Sequence, residues 1–263
     1  MPELADVEGF RRVLAEHGTG HEVRRVAVAD PDVVRNTSAQ GLGRALKGRR
    51  FDEPARHGKW LHARTDGPAV LFHFGMTGAL VWAVDEEPHP HDRVQIELDD
   101  GELRFRDQRK LKGLWLARDE DEASDIMGPL GPDALGLPRR DLAELLADRR
   151  GRLKPVLMDQ EVIAGLGNEL TDEILWQARL HPGRAARELD DDELDRLHKT
   201  MHKVLRASVR AGRIPAKQGW LNAVRNDKSP DCPRCGHPLE HHRIGGRGAW
   251  YCPNCQSDAT ADR

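Results

Sequence analysis

No run of apolar residues in this chain approaches the length needed to cross a bilayer. Its N-terminus, MPELADVEGF, has neither the basic stretch nor the apolar segment of a secretory signal. These absences count against a membrane-spanning or exported protein and place the chain, as an expectation, in the reducing cytoplasm. Cysteine is scarce: there are four, all beyond residue 231, which leaves the rest of the chain without disulfides or thiolate metal sites. Charge of one sign is lacking too, since the net value is only -3, and taken over the whole chain that counts against a polyanionic partner.

What is there is a charged, globular composition, with 32% charged and 38% hydrophobic residues and a mean hydropathy of -0.68. The length of 263 residues suffices for one large or two modest domains. The charges are unevenly spread. Between Lys203 and Arg247 ten Lys or Arg stand against three acids (Asp227, Asp231, Glu240), whereas residues 188–195 hold six acids. A basic C-terminal face suits phosphate, although a solvated surface would show the same run.

Val7, Phe10, Val13 and Leu14 recur at helical spacing over residues 6–16, with Asp6 as a cap. Short β-rich runs follow: KWLHA, AVLFHFG, ALVWAV, and RVQIEL joined to ELRFR across Asp100-Gly101, where Val94, Ile96, Leu98, Leu103 and Phe105 alternate as in a hairpin. Residues 20–118 therefore read as an antiparallel sandwich or barrel. The Gly- and Pro-rich stretch 127–140 has no core periodicity and reads as a linker. Helices are predicted over 141–147, 153–158, 168–178 and 191–211, the last with Leu194, Leu197, Met201, Val204 and Leu205 on a core face. The expected organisation is an N-terminal domain 1–126, a linker, a helical domain 141–230, a cysteine module 231–256 and a disordered tail from 257.

Cys232-Pro-Arg-Cys235 and Cys252-Pro-Asn-Cys255, separated by sixteen residues, form two knuckles whose thiolates suit one tetrahedral Zn²⁺. Four thiolates leave no open coordination position, so the metal is expected to be structural. Between the knuckles, Gly245, Gly246 and Gly248 surround Arg247 on a hairpin, offering either a phosphate fork or an ordinary solvated arginine. Gly165-Leu166-Gly167 makes a tight turn into a helix read as capped by Asn168, whose positive end suits an anion.

Taken together, MPELADVE, GKW (58–60), HFGMTG (73–78), DQRKLKG (107–113), GPLGPDAL, DQEVIAGLGNELTDEILWQARLHP and GRGAWYCPNCQ resemble, in order, the formamidopyrimidine-DNA glycosylase and endonuclease VIII family. The resemblance covers nearly the whole chain. It implies an α+β multidomain fold: an N-terminal β-sandwich with flanking helices, a helix-two-turn-helix domain and a C-terminal zinc-ribbon hairpin, with damaged DNA held between the lobes. It further implies a nucleoid-associated monomer that needs no small-molecule cofactor. By resemblance, Pro2, exposed once Met1 is removed, is the nucleophile, Glu3 the acid/base and Lys59 a phosphate contact at the catalytic centre. Asn168 and Arg247 grip phosphates, and Met76, Arg109 and Leu111 fill the space vacated by a flipped base. An α-amine is also physically apt, because its ordinary pKa near ~8 leaves free base at neutral pH.

Departures from the family pattern are visible. The usual Asp-Pro-Arg-Arg-Phe loop reads Asp107-Gln108-Arg109-Lys110-Leu111 and so lacks the aromatic wedge. Ala5-Asp6 replaces Pro-Glu, and Ala249 stands where Thr or Ser is common. The stretch from Ala211 to Asp231 is short, lacking the long loop that covers 8-oxoguanine, which favours oxidised pyrimidines, ring-opened purines or abasic sites. Two rival readings are a lesion-binding protein that has lost excision and a zinc-ribbon interaction module on an unrelated β domain.

Overall fold

The amphipathic segment near the N-terminus forms helix α1, Leu4–His17, in the computed structural model, which describes residues 1–257. Val7 and Leu14 are fully buried, and Phe10 and Val13 pack on the same core. The cap is Glu3, not Asp6. Asp6 is the third helical residue and accepts a hydrogen bond from Glu3 N at 2.9 Å, completing a reciprocal capping box.

Met1–Pro129 forms one unit. Its strands are β1 Arg25–Val28, β2 Ala55–His57, β3 Trp60–Ala63, β4 Ala69–His73, β5 Ala79–Ala83, β6 Asp92–Glu97, β7 Glu102–Arg106 and β8 Gly113–Ala117. They pair antiparallel in two four-stranded sheets, ordered β1-β6-β7-β5 and β2-β3-β4-β8. The alternating Val94, Ile96, Leu98, Leu103 and Phe105 all face the core, where they meet Phe72 and Phe74. Two helices escaped the sequence reading: α2, Ala39–Leu46, capped by Ser38, and α3, Glu120–Met127, capped by Asp119. The acidic run that hid α3 places Glu120, Asp121 and Glu122 in its first turn, where the helix dipole favours them.

The second unit begins at Leu130, inside the stretch read as a linker. Gly131 N donates to Gln160 O at 2.8 Å and Ala134 N to Ala164 O at 2.9 Å, while Ala134 and Leu137 are buried. An irregular segment bonded to another irregular segment leaves no period to detect. Helices α4 (Arg139–Ala147), α5 (Leu153–Met158), α6 (Asn168–Ala178) and α7 (Asp191–Ala211) follow, then the hairpin β9 (Glu240–Ile244) and β10 (Arg247–Tyr251). The apolar face of α7 is core, as read. By contrast α6 is buried nearly all round, Thr171, Asp172 and Glu173 included. The tail expected from 257 lies, from residue 258 on, outside the described residues. No helix among the described residues is long and apolar enough to cross a membrane.

Candidate active site and nucleic-acid interface

Pro2 is half-buried immediately before α1, and the Glu3 side chain beside it is almost wholly enclosed, at 1% exposure. Arg56, with a side chain 6% exposed, fastens this helix to the β2–β3 turn: Nε donates to Glu8 Oε2 at 3.2 Å and Nη1 to Gly58 O at 2.9 Å. Lys59 follows Gly58, in the turn that Arg56 fastens to α1.

His73 joins this group, and the sequence reading missed it. It lies opposite Trp60 in the β3–β4 register, its ring edge-on to the indole at 4.8 Å, and its Nδ1 accepts from Gly75 N at 3.1 Å. Burial first, then the Lys112 and Lys59 cations, bring its pKa down to about 4. At neutral pH the ring is uncharged, with Nδ1 as acceptor and Nε2–H as donor. The available signal was a histidine ending a strand one residue before the Phe-Gly-Met turn. Because the folded value lies below the ordinary 6.5, this group's contribution to stability is complete above pH 6.5 and is lost as pH falls toward 4. Urea melts at pH 7 and pH 4.5 should therefore show a smaller acid loss for His73→Gln than for wild type, by roughly 2 kcal/mol. Equal losses would show that His73 protonates freely in the folded chain.

Met76, Arg109 and Leu111 are exposed, Met76 at 41% and Leu111 at 50%, so neither apolar side chain is core. Their backbones are tightly held. Thr77 Oγ1 donates to Asp107 Oδ1 at 2.5 Å, and Arg109 N donates to both Thr77 Oγ1 and Asp107 Oδ1. Arg35 Nη2 bonds the carbonyls of Lys110 and Lys112 at 2.7 Å each, and Lys110 is kept at φ 52 while its ammonium pairs with Asp30 at 2.8 Å. A non-glycine residue at positive φ is strained unless its surroundings hold it there. Rigid loops that present apolar tips to solvent can serve as a wedge.

In the second unit, Gly165, at φ 110, turns the chain into α6, and Gln160 buckles that turn: Oε1 accepts from Gly165 N and Nε2 donates to Leu166 O, each at 3.0 Å. Here too the cap differs from the one expected, this time by one residue. Gly167 is the N-cap and Asn168 the first helical residue, its Oδ1 buried without a hydrogen-bond partner. An anion at this positive helix end would be met by N–H donors, not by that oxygen, which is itself an acceptor.

Arg247 opens β10 directly after Gly245 and Gly246, which have φ 56 and 80, and is exposed. A β-carbon on Gly245 would fall 2.3 Å from Pro155 Cγ, so only glycine lets the hairpin tip approach α5 this closely. Lys154 then locks the contact. Fully buried, it donates to Asp172 Oδ1 at 2.6 Å and to Gly248 O at 2.5 Å, while Arg225 reaches Asp172 Oδ2 at 3.3 Å and Trp250 N donates to the same oxygen. Two cations of the basic C-terminal run therefore face inward: Arg225 pairs with Asp172, and Arg234 lies 4.4 Å over the Trp176 ring.

The four cysteine sulfurs lie within 4.8 Å of one another, with Cys232–Cys255 at 3.9 Å and Cys235–Cys252 at 3.6 Å. Tetrahedral Zn–S bonds of about 2.3 Å require sulfur separations near ~3.8 Å, so the residues fit a structural zinc ion. Trp176 Nε1–H points at Cys232 Sγ at 3.3 Å, tying the metal module to α6.

Family models match all three parts in order: the formamidopyrimidine-DNA glycosylase N-terminal domain over residues 1–114, the H2TH domain of the same family over 130–218, and the zinc finger found in FPG and IleRS over 231–257. A formamidopyrimidine-DNA glycosylase of Symbiobacterium thermophilum is 37% identical, covering 97% of this chain and 89% of its own. One from Desulfitobacterium hafniense is 32% identical, covering 97% and 100%. Among solved structures, Lactococcus lactis Fpg bound to abasic-site DNA superposes with a TM-score of 0.87 at 26% identity, covering 98% of this chain and all of that one. The same enzyme with DNA containing an oxidised pyrimidine gives 0.87 at 27%. The chain therefore belongs to the formamidopyrimidine-DNA glycosylase family, the DNA glycosylases with lyase activity that act in base excision repair.

Proposed function

We propose that Pro2, freed of Met1, is the nucleophile of a bifunctional glycosylase and lyase that prefers oxidised pyrimidines, ring-opened purines and abasic sites to 8-oxoguanine. Its nitrogen attacks C1′, the bond from C1′ to the damaged base breaks, and the base leaves with its electron pair and a proton. The base takes the proton that the Pro2 nitrogen gives up, and Glu3, as the carboxylic acid, protonates the ring oxygen O4′ as the sugar opens to a Schiff base. Loss of a C2′ proton then expels the 3′ phosphate, and a second elimination expels the 5′ phosphate. Lys59, Asn168 and Arg247 hold the flanking phosphates, and Met76, Arg109 and Leu111 fill the space left by the extruded nucleotide. The observation that carries this reading is the enclosed Glu3 carboxylate next to Pro2, at the head of a helix that Arg56 fixes to the Lys59 turn.

The substrate preference rests on the chain between α7 and the first knuckle. Trp220 and Leu221 are buried, Asn222 N donates to Glu173 Oε2 at 2.8 Å, and Arg225 pairs with Asp172. The middle of this short segment, residues 220–225, is held against α6, leaving little chain to close over an intact oxidised purine. Duplexes carrying dihydrouracil or an abasic site should be cut at least about tenfold faster than one carrying 8-oxoguanine opposite cytosine, a transition-state difference of ~1.4 kcal/mol or more. An 8-oxoguanine duplex cut as fast as either would contradict the preference. Tight binding of an abasic analogue with no strand scission on any substrate would favour the lesion-binding reading.

A further inference from the structure

Cations on the first unit are mostly matched by carboxylates, as Arg24 is by Asp99, Arg50 by Glu22, Arg93 by Asp30 and Arg106 by Asp92. Arg25, Arg44 and Lys47 are exposed and have no carboxylate partner among the described residues. All three border one groove of about 560 Å³ between β1 and α2. Its floor is aliphatic, formed by Val26 and Val28 of β1 and by Ala39 and Gly43 of α2. At Gly43 a β-carbon would meet only Val26 O, at 3.8 Å, so a longer side chain there has room to extend into the groove.

β1 is also the outermost strand of its sheet. Its bond from Ala29 N to Arg93 O fixes the inward-pairing positions at 25, 27 and 29, so the main-chain groups of Val26 and Val28 point away from β6, where no strand lies. The groove thus combines an aliphatic seat with a cationic rim, beside an edge strand against which α2 packs. We propose that it docks an extended acidic segment of a partner protein, one aliphatic or aromatic side chain resting on Val26, Val28 and Gly43 and its carboxylates facing Arg25, Arg44 and Lys47. A nucleic-acid backbone matches the charge but has nothing to fill a concave aliphatic floor, and no aromatic ring lines the groove for a base to stack on. The groove lies on the sheet that does not carry Lys59 and His73.

The test uses the full chain and a fluorescein-labelled octapeptide, Glu-Asp-Asp-Leu-Val-Phe-Asp-Glu, followed by fluorescence anisotropy. Saturable micromolar binding is expected, weakened at least about tenfold by the double variant R44E/K47E and equally by G43M, which fills the floor without changing charge. Both variants should melt as wild type does and cut an abasic duplex at the wild-type rate. The proposal is overturned if the peptide does not bind, if either variant binds it as wild type does, or if a version with Ser for Leu, Val and Phe binds equally well. It is also overturned if an undamaged 20-base-pair duplex displaces the peptide and itself loses affinity for G43M, which would make the groove a nucleic-acid surface.

Discussion

Acetylating Pro2, or leaving Met1 in place, should lower excision of dihydrouracil by at least ~10³-fold and abolish strand scission, with the thermal midpoint unchanged. The expectation follows from the chemistry of the amine. A blocked nitrogen has no lone pair for C1′, and lysine side chains, with ordinary values near ~10.4, supply far less free base at neutral pH than an α-amine does. Pro2→Gly keeps an α-amine but loses the ring and its secondary nitrogen, so partial activity there is consistent. Full activity of the acetylated protein, by contrast, would place the nucleophile elsewhere. Glu3→Gln provides the complementary measurement: binding of an abasic analogue should persist while single-turnover excision falls by about 10²-fold or more, since the amide cannot deliver a proton to O4′.

The second large effect is expected at Lys154, which no motif singled out. Its ammonium and the Asp172 carboxylate are both fully buried, and burial pushes the carboxyl up while Lys154 and Arg225 pull it down. Lys154→Met would leave Asp172 with Arg225 and the Trp250 N–H, both on one oxygen, and Gly248 O without the Lys154 donor. Breaking one side of a buried pair typically costs 3–5 kcal/mol, and a loss of that order is expected in urea melts. Because Gly248 follows Arg247, the phosphate contact proposed for Arg247 should loosen as well. Affinity for undamaged duplex should fall and the slope of log affinity against log salt should shrink by about 1, as if Arg247 itself were removed. A melt within 1 kcal/mol of wild type together with an unchanged slope would show that the buried triad neither supports the helical unit nor positions Arg247.

Periodic elements were legible from sequence because their patterns are local. The alternation around Asp100-Gly101 and the long apolar face of α7 each report one buried side, and both sit where the pattern placed them. What escaped depends on distant partners. α6 was read by its inward positions Leu170, Ile174 and Ala178, yet Thr171, Asp172 and Glu173 are buried too, because α5, α7, the hairpin and the residues around Asn222 surround it. The caps at Glu3 and Gly167 were each misplaced, at Asp6 and Asn168, because a good capping side chain nearby outranked the backbone geometry that decides the position. His73 and Lys154 carry no motif of their own. The first is defined by Trp60 across a strand pair and the second by a carboxylate eighteen residues away.

The claim on which the rest depends is a covalent bond between one nitrogen and one carbon. Protein lacking Met1 should be incubated with an abasic duplex, reduced with borohydride and digested, and the DNA-linked peptide sequenced by mass spectrometry. The adduct is predicted on the N-terminal peptide, at Pro2 and nowhere else. A reduced adduct on any lysine, or strand scission with no trapped peptide, would contradict it.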